Sequence, residues 1–179
     1  MKKKGQAAQG FTLVESLVVI ALVGILALAT IPLLSSQDPT RLDAAAAEVG
    51  NALRFAVSES NRTLNYVLVD GSVPGRLALL NSNAAGANLG ALADPLTKRA
   101  FAVDASGTAA FGAVDLAPRF FKAGTPYTQL LIGPGTQLQA FDGGTNRGTL
   151  EAGSGVVLTL GLQSTTVSLN EATGKVTVP

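Results

Sequence analysis

Residues 2–34 read KKKGQAAQGFTLVESLVVIALVGILALATIPLL, and this stretch decides how the chain is organised. Three lysines come first, and an apolar run follows that contains a single carboxylate, Glu15. An acidic side chain costs roughly 2.5–3.5 kcal/mol at the centre of a membrane helix, although less near the helix end. Any function assigned to the segment must therefore account for Glu15.

The composition counts against a nucleic-acid-binding body and against an enzyme. Mean hydropathy is +0.35 and 47% of the residues are hydrophobic, an excess that is concentrated in the first 34 residues. From Phe11 onward, the chain has ten basic and twelve acidic residues. This net negative charge does not favour binding to nucleic acid. The chain has no Cys, so an exported fold must be held by packing alone, and no His, which removes the commonest general base.

The apolar run has the length of a membrane-spanning helix. Residues 16–37 contain no charged residue, and a helix of about 20 residues crosses a hydrocarbon core. The preceding lysines predict a cytoplasmic amino terminus. Two ordinary interpretations are a permanent signal anchor and a secretory signal cleaved after Ala29, where residues 27–29 read ALA. The second interpretation would make the protein a conventionally secreted domain.

Glu15 disfavours both interpretations, because neither of them supplies a partner for its carboxylate. The lysines lie more than ten residues upstream. Cleavage between Gly10 and Phe11 would expose an α-amine four residues before Glu15. In a helical stack, that amine or the amine of a neighbouring subunit can pair with the carboxylate in a low-dielectric setting, where the pairing is stronger than in water.

The stretch QGFTLVESLVVIALVGILA resembles the class III signal of type IV pilins and type II secretion pseudopilins. The resemblance implies that a prepilin peptidase cleaves after Gly10 and that Phe11 is then N-methylated. It also implies that Glu15 forms an assembly salt bridge with the amino terminus of an adjacent subunit, and that the helix loosens at Gly24 and Pro32. Pro32 should in addition kink or break the helix, because it lacks an N–H and clashes with the preceding turn.

A second helix is predicted over residues 35–62. Asp38-Pro39 marks a boundary at its start, where Asp38 or Thr40 can act as a cap. Apolar residues then recur three or four apart, with charged residues on the opposite face. The apolar positions are Leu42, Ala45, Val49, Leu53, Ala56 and Val57, and the charged ones are Asp43, Glu48, Arg54, Glu59 and Arg62. This pattern predicts a half-buried helix that continues the membrane helix and ends near Asn61.

Residues 63–179 are predicted to form a β-rich head. Five segments alternate in the manner of strands: LNYVLVD at 64–70, RAFAVDASG at 99–107, TQLLIG at 128–133, GVVLTLG at 155–161 and TTVSLNEATGKVTV at 165–178. The last contains the turn signal NEATG and predicts a terminal hairpin. Residues 82–95 are expected to form a loop with a short helical piece.

The predicted fold class is α+β and pilin-like, with a long amino-terminal helix (a membrane half and an amphipathic half) packed on an antiparallel β-sheet head. Its parts are a cleaved leader (1–10), a transmembrane and filament-core helix (11–34), an amphipathic helix (35–62) and the head (63–179). The β-rich head, LRFAVSESNRT at the helix end and the closing VSLNEATGKVTVP look most like minor subunits of the GspH/FimT type.

The resemblance implies a non-enzymatic filament subunit of a type IV pilus or a type II secretion pseudopilus. Its partners would be the prepilin peptidase, other pilin or pseudopilin subunits and the inner membrane. The precursor would cross the inner membrane once, with its amino terminus in the cytoplasm, and would later enter a periplasmic or extracellular filament.

Motifs for catalysis, cofactors and metals are weak. Without His, a Ser-His-Asp arrangement is impossible and zinc would need carboxylates alone. GPGTQL at residues 133–138 lacks the third Gly of a dinucleotide fingerprint and is interpreted as a turn. DGGTNRGTLE at residues 142–151 offers oxygen ligands for Ca²⁺ but not the carboxylate spacing of a known loop, so a glycine turn is favoured. No cofactor and no metal site is predicted.

DNA binding is an alternative function, because some FimT-like minor pilins take part in natural transformation. The candidate nucleic-acid-binding residues are Lys98, Arg99, Arg119 and Lys122, with Arg147 and Lys175 as further cations. The aromatic residues Phe101, Phe120, Phe121 and Tyr127 lie near some of them in the sequence, as base stacking requires. Charged residues between strands are usually solvated, and the aromatic residues fit a core better, so this alternative is not favoured.

Overall fold

A computed structural model of the chain describes residues 13–35, 37–105, 111 and 113–179. The chain divides into two compact units, residues 1–37 and 38–179. Within the described residues, the first unit contains helix α1 and the first residue of helix α2, and the second contains the rest of α2 and twelve strands.

Helix α1, Leu13–Ser35, forms from the apolar run. Every side chain over residues 13–26 is exposed in the first unit. Glu15 lies in the first turn, where a negative charge interacts favourably with the helix dipole. Among the described residues, no helix reaches the length and hydropathy expected of a membrane span.

Helix α2, Gln37–Thr63, confirms the predicted amphipathic helix. Its apolar stripe is buried at Leu42, Ala45, Val49, Leu53 and Ala56, whereas Asp43, Glu48, Arg54 and Arg62 are exposed. Val57 and Glu59 are half-buried at the boundary between the two faces. The predicted continuation of the membrane helix into this one depends on Ser36, which lies outside the described residues.

The end of α2 is closed by side-chain hydrogen bonds and a left-handed residue. The Thr63 hydroxyl donates to the Glu59 carbonyl at 2.8 Å, and the buried Ser60 hydroxyl donates to the Asn65 carbonyl at 2.7 Å. Leu64 follows with a φ of 55°, the left-handed conformation that commonly terminates a helix.

The strands of the second unit form two antiparallel sheets. In chain order they are β1 (Tyr66–Asp70), β2 (Arg76–Ser82), β3 (Asn88–Ala91), β4 (Ala102–Asp104), β5 (Asp115–Lys122), β6 (Thr125–Tyr127), β7 (Gln129–Gly133), β8 (Gln137–Asp142), β9 (Thr145–Thr149), β10 (Gly155–Leu160), β11 (Gln163–Leu169) and β12 (Val176–Thr177). The seven-stranded sheet has the order β3-β2-β1-β7-β8-β9, with β4 also paired to β2, and the five-stranded sheet has the order β12-β11-β10-β5-β6.

One hydrophobic cluster joins α2 to both sheets. Leu53 of α2, Leu79 and Ile132 of the seven-stranded sheet and Leu158 of the five-stranded sheet are all fully buried in it. Because successive strand residues point to opposite faces, the other face of the seven-stranded sheet needs a cover of its own. The second unit is therefore a helix and two sheets around a shared core.

A smaller cluster lies on that other face, around Leu68, Leu131 and Phe141. The loop after β2 covers it, and Gly86 of this loop lies directly against the Phe141 ring. A Cβ atom at Gly86 would clash with the ring, and the φ of 76° also favours glycine.

The five predicted strand segments all contain strands, and the terminal hairpin is confirmed. Strands β11 and β12 pair with Ser168 opposite Thr177, and the Asn170 N–H donates to the Lys175 carbonyl at 2.9 Å. The NEATG signal therefore predicted the turn correctly.

Two predictions about the head were wrong. Residues 82–95, all of them described, contain strand β3 rather than a helical piece. The Asn83 side chain accepts the N–H groups of Ala85 and Ala87, both at 3.0 Å, and this turn returns the chain along β2. The single predicted sheet is in fact two sheets, because alternation within a strand shows which face is buried but not which strand lies beside it.

Candidate processing and assembly segment

The predicted processing site lies outside the described residues. Gly10 and Phe11 both precede Leu13, the first described residue. Glu15 lies in the first turn of α1 with an exposed side chain. Gly24 and Pro32 lie inside α1, which remains helical up to Ser35, so loosening at these two positions stays a prediction about assembled subunits.

The described part of α1 presents apolar side chains around the whole helix. The large ones are Leu13, Val14, Leu17, Val18, Val19, Ile20, Leu22, Val23, Ile25 and Leu26, and each is at least 48% exposed. Exposed apolar surface of this extent marks a site of interaction with other proteins or with a membrane. A helix that is hydrophobic on all sides is expected to be surrounded by apolar material.

Among the described residues of the first unit, no contact requires a glycine at position 24. A Cβ atom built there would meet nothing within 4 Å, and the position is exposed. In a packed array of apolar helices, a residue without a side chain allows a neighbouring backbone to approach closely.

Residues 6–31 match the family described as the prokaryotic N-terminal methylation motif. The chain carries this methylation motif. The motif covers the predicted cleavage site, Glu15 and most of α1. It supports a type IV pilin-like precursor that is processed by a prepilin peptidase and assembles with other pilin subunits.

No curated protein and no solved structure matches the chain. The motif itself ends at residue 31, ahead of the head. The GspH/FimT type therefore stays a prediction from the residues quoted above.

The first two candidate DNA-binding residues, Lys98 and Arg99, lie in an exposed turn between β3 and β4. Asp94 organises this turn, because its carboxylate accepts the N–H of Leu96 at 2.7 Å and that of Thr97 at 3.0 Å. The bonds from Thr97 and Leu96 hold the pKa of Asp94 below its usual value, and the charge of Lys98 adds to the effect. The turn therefore carries the negative charge of Asp94 as well as the positive charges of Lys98 and Arg99.

The other two candidates, Arg119 and Lys122, lie three residues apart on β5 and so point to opposite faces of the strand. The Lys122 ammonium lies 3.4 Å from Glu151 Oε1. The Glu151 carboxylate also accepts the N–H groups of Ala123 at 2.9 Å and Gly124 at 3.3 Å. These bonds, with Lys122 as a further contribution, hold the pKa of Glu151 below its usual value.

The further cation Arg147 is likewise paired with a carboxylate. Its guanidinium donates to Asp142 at 2.9 Å and lies 5.6 Å from the centroid of the Tyr127 ring. Of the proposed stacking residues, Phe120 is fully buried and Phe101 stacks on Phe55 with centroids 5.1 Å apart. These contacts leave less charge and less aromatic surface for a nucleic acid than the sequence suggested.

The glycine-rich segment at residues 142–151 directs its two carboxylates to different partners, Asp142 to Arg147 and Glu151 to the β5–β6 turn. Over the described ranges, no three acidic side chains come together in a way that could hold a metal ion.

Two features of the head were not predicted. A groove of about 380 Å³ lies between the last turns of α2 and the β3–β4 turn, and we call it the α2 groove. Leu162 stands fully exposed at the end of the β10–β11 hairpin, and we call Gly161 and Leu162 the hairpin tip. Two turn residues between alternating runs could have signalled the tip. No local pattern signals the groove, because it joins segments that are distant in the sequence.

Proposed function

We propose that the chain is a minor structural subunit of a type IV pilus or a type II secretion pseudopilus. The observation that carries the proposal is the methylation motif at residues 6–31, which leads into a helix with an exposed apolar surface. The second unit has its own core, so the amino-terminal helix is available for contacts outside the chain.

The proposed sequence of events begins in the inner membrane, with residues 11–34 in the bilayer and the lysines in the cytoplasm. Hydrolysis of the peptide bond between Gly10 and Phe11 releases the leader and leaves an α-amine on Phe11, which is then methylated. A methylated amine keeps its positive charge. It can therefore pair with Glu15 of an adjacent subunit once the helices pack in a low-dielectric filament core.

The assignment to the minor, GspH/FimT-like class rests on the small β-rich head and its closing hairpin. The chain has no Cys, so its carboxy-terminal segment is not closed by a disulfide as in many major pilins. Instead, β12 is held by β11 and by α2, whose Arg54 guanidinium donates to the Val176 carbonyl at 3.4 Å.

Mass spectrometry of the mature amino terminus tests the proposal directly. The full chain is produced with a prepilin peptidase, and the expected product begins with methylated Phe11. Gly10→Leu should abolish this product, because the peptidase must accept that position at close range. Gly5→Leu is the matched control in the same leader and should be processed normally.

A product that begins at Thr30 would instead identify a conventional signal cleaved after Ala29. A product that retains the three lysines would rule out processing altogether. Either result would overturn the proposed function.

DNA binding is not proposed as a second function, since Lys122 and Arg147 are paired with Glu151 and Asp142. A salt-dependent mobility shift with the full chain measures it, and a shift removed by Lys98→Ala with Arg99→Ala would reinstate it.

A further inference from the structure

We propose that Gln129 protects the peptide bond between Asp142 and Gly143 from isomerisation, because it holds the Gly143 N–H in a hydrogen bond. Aspartate followed by glycine is the sequence at which a backbone most readily closes to a succinimide and reopens as isoaspartate. The inference goes beyond the proposed function, since it concerns the chemical lifetime of the folded head and applies whether or not the chain enters a filament.

The chain contains two such sequences, Asp70-Gly71 and Asp142-Gly143, and Gln129 lies between them. On the seven-stranded sheet it is opposite Asp70 of β1 on one side and opposite Phe141 of β8 on the other. Its Nε2 donates to Asp70 Oδ1 at 2.9 Å, and its Oε1 accepts the Gly143 N–H at 3.0 Å. One side chain therefore contacts both sequences.

These two partners fix the orientation of the Gln129 amide. A backbone N–H can only donate and a carboxylate can only accept, so exchanging the amide oxygen and nitrogen would remove both hydrogen bonds. The side chain is also half-buried in β7. The amide is thus held at both ends, with its oxygen directed to Gly143.

Isomerisation requires the backbone nitrogen of Gly143 to act as a nucleophile. The nitrogen loses its proton and attacks Cγ of Asp142, so that the N–Cγ bond forms and a carboxyl oxygen leaves as water. Water then opens the ring at the former main-chain carbonyl of Asp142, and the backbone now runs through Cβ and Cγ. The product has the same mass and one additional methylene group in its backbone, and water is the only co-reactant.

The hydrogen bond to Gln129 opposes the first step. An amide proton that is held in a native hydrogen bond is protected until the local structure opens. The Gly143 nitrogen must therefore lose its bond to Gln129 before it can be deprotonated and turn towards Cγ. The Arg147 guanidinium, 2.9 Å from Asp142 Oδ2, restrains the carboxyl group, so Gln129 restrains the nucleophile and Arg147 the electrophile.

The turn around Gly143 provides the space and the water that ring closure needs. Asp142 pairs with Thr145, so only Gly143 and Gly144 connect β8 to β9, with φ values of 52° and 90° as in a type I′ turn. A Cβ atom at either glycine would meet nothing within 4 Å, and the Asp142 side chain is 52% exposed. Packing therefore does not protect this sequence.

The other sequence, Asp70-Gly71, is protected independently of Gln129. The Gly71 N–H donates to the Thr128 carbonyl at 3.1 Å. Gly71 is buried, and a Cβ atom there would clash with the Pro118 ring. Removal of the Gln129 side chain should therefore leave position 70 unmodified, which makes it an internal reference within the same chain.

Isomerisation would damage the head at a defined place. The geometry of a two-residue turn fixes the register of its hairpin, and a register error moves side chains to the wrong face of a sheet. An additional methylene group at position 142 is incompatible with the type I′ turn between β8 and β9. Protection of Gly143 therefore preserves the edge of the seven-stranded sheet.

Peptide mapping of the full chain after prolonged incubation in detergent at neutral pH tests the inference. Electron-transfer fragmentation distinguishes isoaspartate from aspartate at positions 70 and 142. We expect Gln129→Ala to raise the rate at Asp142 roughly two- to ten-fold, as the loss of one hydrogen bond implies, with no change at Asp70. Gln137→Ala, at an exposed glutamine of β8, is the matched control and should leave both rates unchanged.

Gln129→Glu separates the hydrogen bond from general support of the sheet. A carboxylate at position 129 can still accept the Gly143 N–H but repels Asp70, so this variant should destabilise the head at least as much as Gln129→Ala while Asp142 stays protected. Equal acceleration by the two variants, or none by Gln129→Ala, would overturn the inference. Acceleration at Asp70 and Asp142 alike, to the rates of the chain unfolded in urea, would overturn it too, because the fold and not this bond would then be the protection.

Discussion

Apolar side chains are exposed in the first unit of this protein and buried in the second. In α1, Leu17 and Ile20 are 63% and 72% exposed, whereas in the second unit Leu53 and Leu158 are completely buried. Both regions are rich in aliphatic residues, so composition does not explain the difference. The second unit provides a helix and two sheets to bury its apolar groups, whereas the described part of the first unit provides one apolar helix.

The difference separates two kinds of stability. The head can reach its folded state through contacts within one chain, because its core joins α2 to both sheets. An apolar surface as extensive as that of α1 is typical of a helix that contacts lipid or other helices. Substitutions in α1 should therefore impair assembly, whereas substitutions in the core of the head should lower the free energy of unfolding.

The largest effect is expected at Glu15 in the first unit. Glu15→Ala and the isosteric Glu15→Gln should leave cleavage after Gly10 intact but remove most incorporation into filaments, because both abolish the charge that pairs with the α-amine. Quantification of the chain in sheared filaments measures this. Glu48→Ala, at an exposed glutamate of α2, is the control and should assemble normally. Normal incorporation of both Glu15 variants would contradict the assigned role.

The next effect is expected in the core of the head. Leu53→Ala should reduce the free energy of unfolding by about 2–5 kcal/mol, because Leu53 is fully buried and its truncation leaves a cavity. Processing at Gly10 should not change. Leu89→Ala, at a leucine that is 63% exposed, should alter stability by less than about 0.5 kcal/mol. Urea unfolding of the processed chain in detergent distinguishes the two, and equal losses would show that the core is wrongly assigned.

A smaller effect is expected from the buried hydroxyl of Ser154. It accepts the Phe121 N–H at 2.9 Å and donates to the Glu151 carbonyl at 2.6 Å, so it links β5 to the segment before β10. Ser154→Ala should cost about 1–3 kcal/mol, because it leaves the Phe121 N–H without its acceptor. The same unfolding assay applies, with the exposed Ser164→Ala as the matched control; a Ser154 variant as stable as this control would argue against the link.

The smallest effect on stability is expected from substitution of Glu151, and its size depends on pH. The N–H groups of Ala123 and Gly124, followed by Lys122, hold its pKa below the ordinary value of 4.5. A carboxyl whose pKa is lowered by folding stabilises the folded state above its ordinary pKa and loses that contribution as the pH falls through the lower, folded value.

Glu151→Gln should therefore be less stable than the unsubstituted chain at neutral pH, and the two should converge below the ordinary pKa of 4.5. Thermal unfolding across this pH range measures the convergence. A difference that persists unchanged in acid would show that the charge of Glu151 is not what supports the turn.

Sequence reasoning succeeded where the signal is local. The spacing of Leu42, Val49 and Leu53 predicted the buried stripe of α2, and NEATG predicted the terminal hairpin, because both depend on residues within a few positions of each other. The methylation motif was found in the same way. Its residues, 6–31, are consecutive, so a short window of sequence contains the whole motif.

Sequence reasoning failed where distant segments meet. The strand β3 was not predicted, because its four residues, NLGA, are all exposed and show no alternation. The charged partners of Lys122 and Arg147 were not predicted either. Glu151 reaches Lys122 only because β10 and its preceding loop lie beside β5, a neighbour relation that no short window of sequence contains.

The amino-acid sequence alone determined that this chain has the methylation motif and an apolar helix with one acid near its start, because each of these is encoded by consecutive residues. The cleaved leader is predicted from the same segment. Only the tertiary structure decided that the head has two sheets, that Lys122 and Arg147 pair with Glu151 and Asp142, and that Phe55 and Pro95 line one groove. Those facts depend on strand order and register, which arise when the whole core is buried at once.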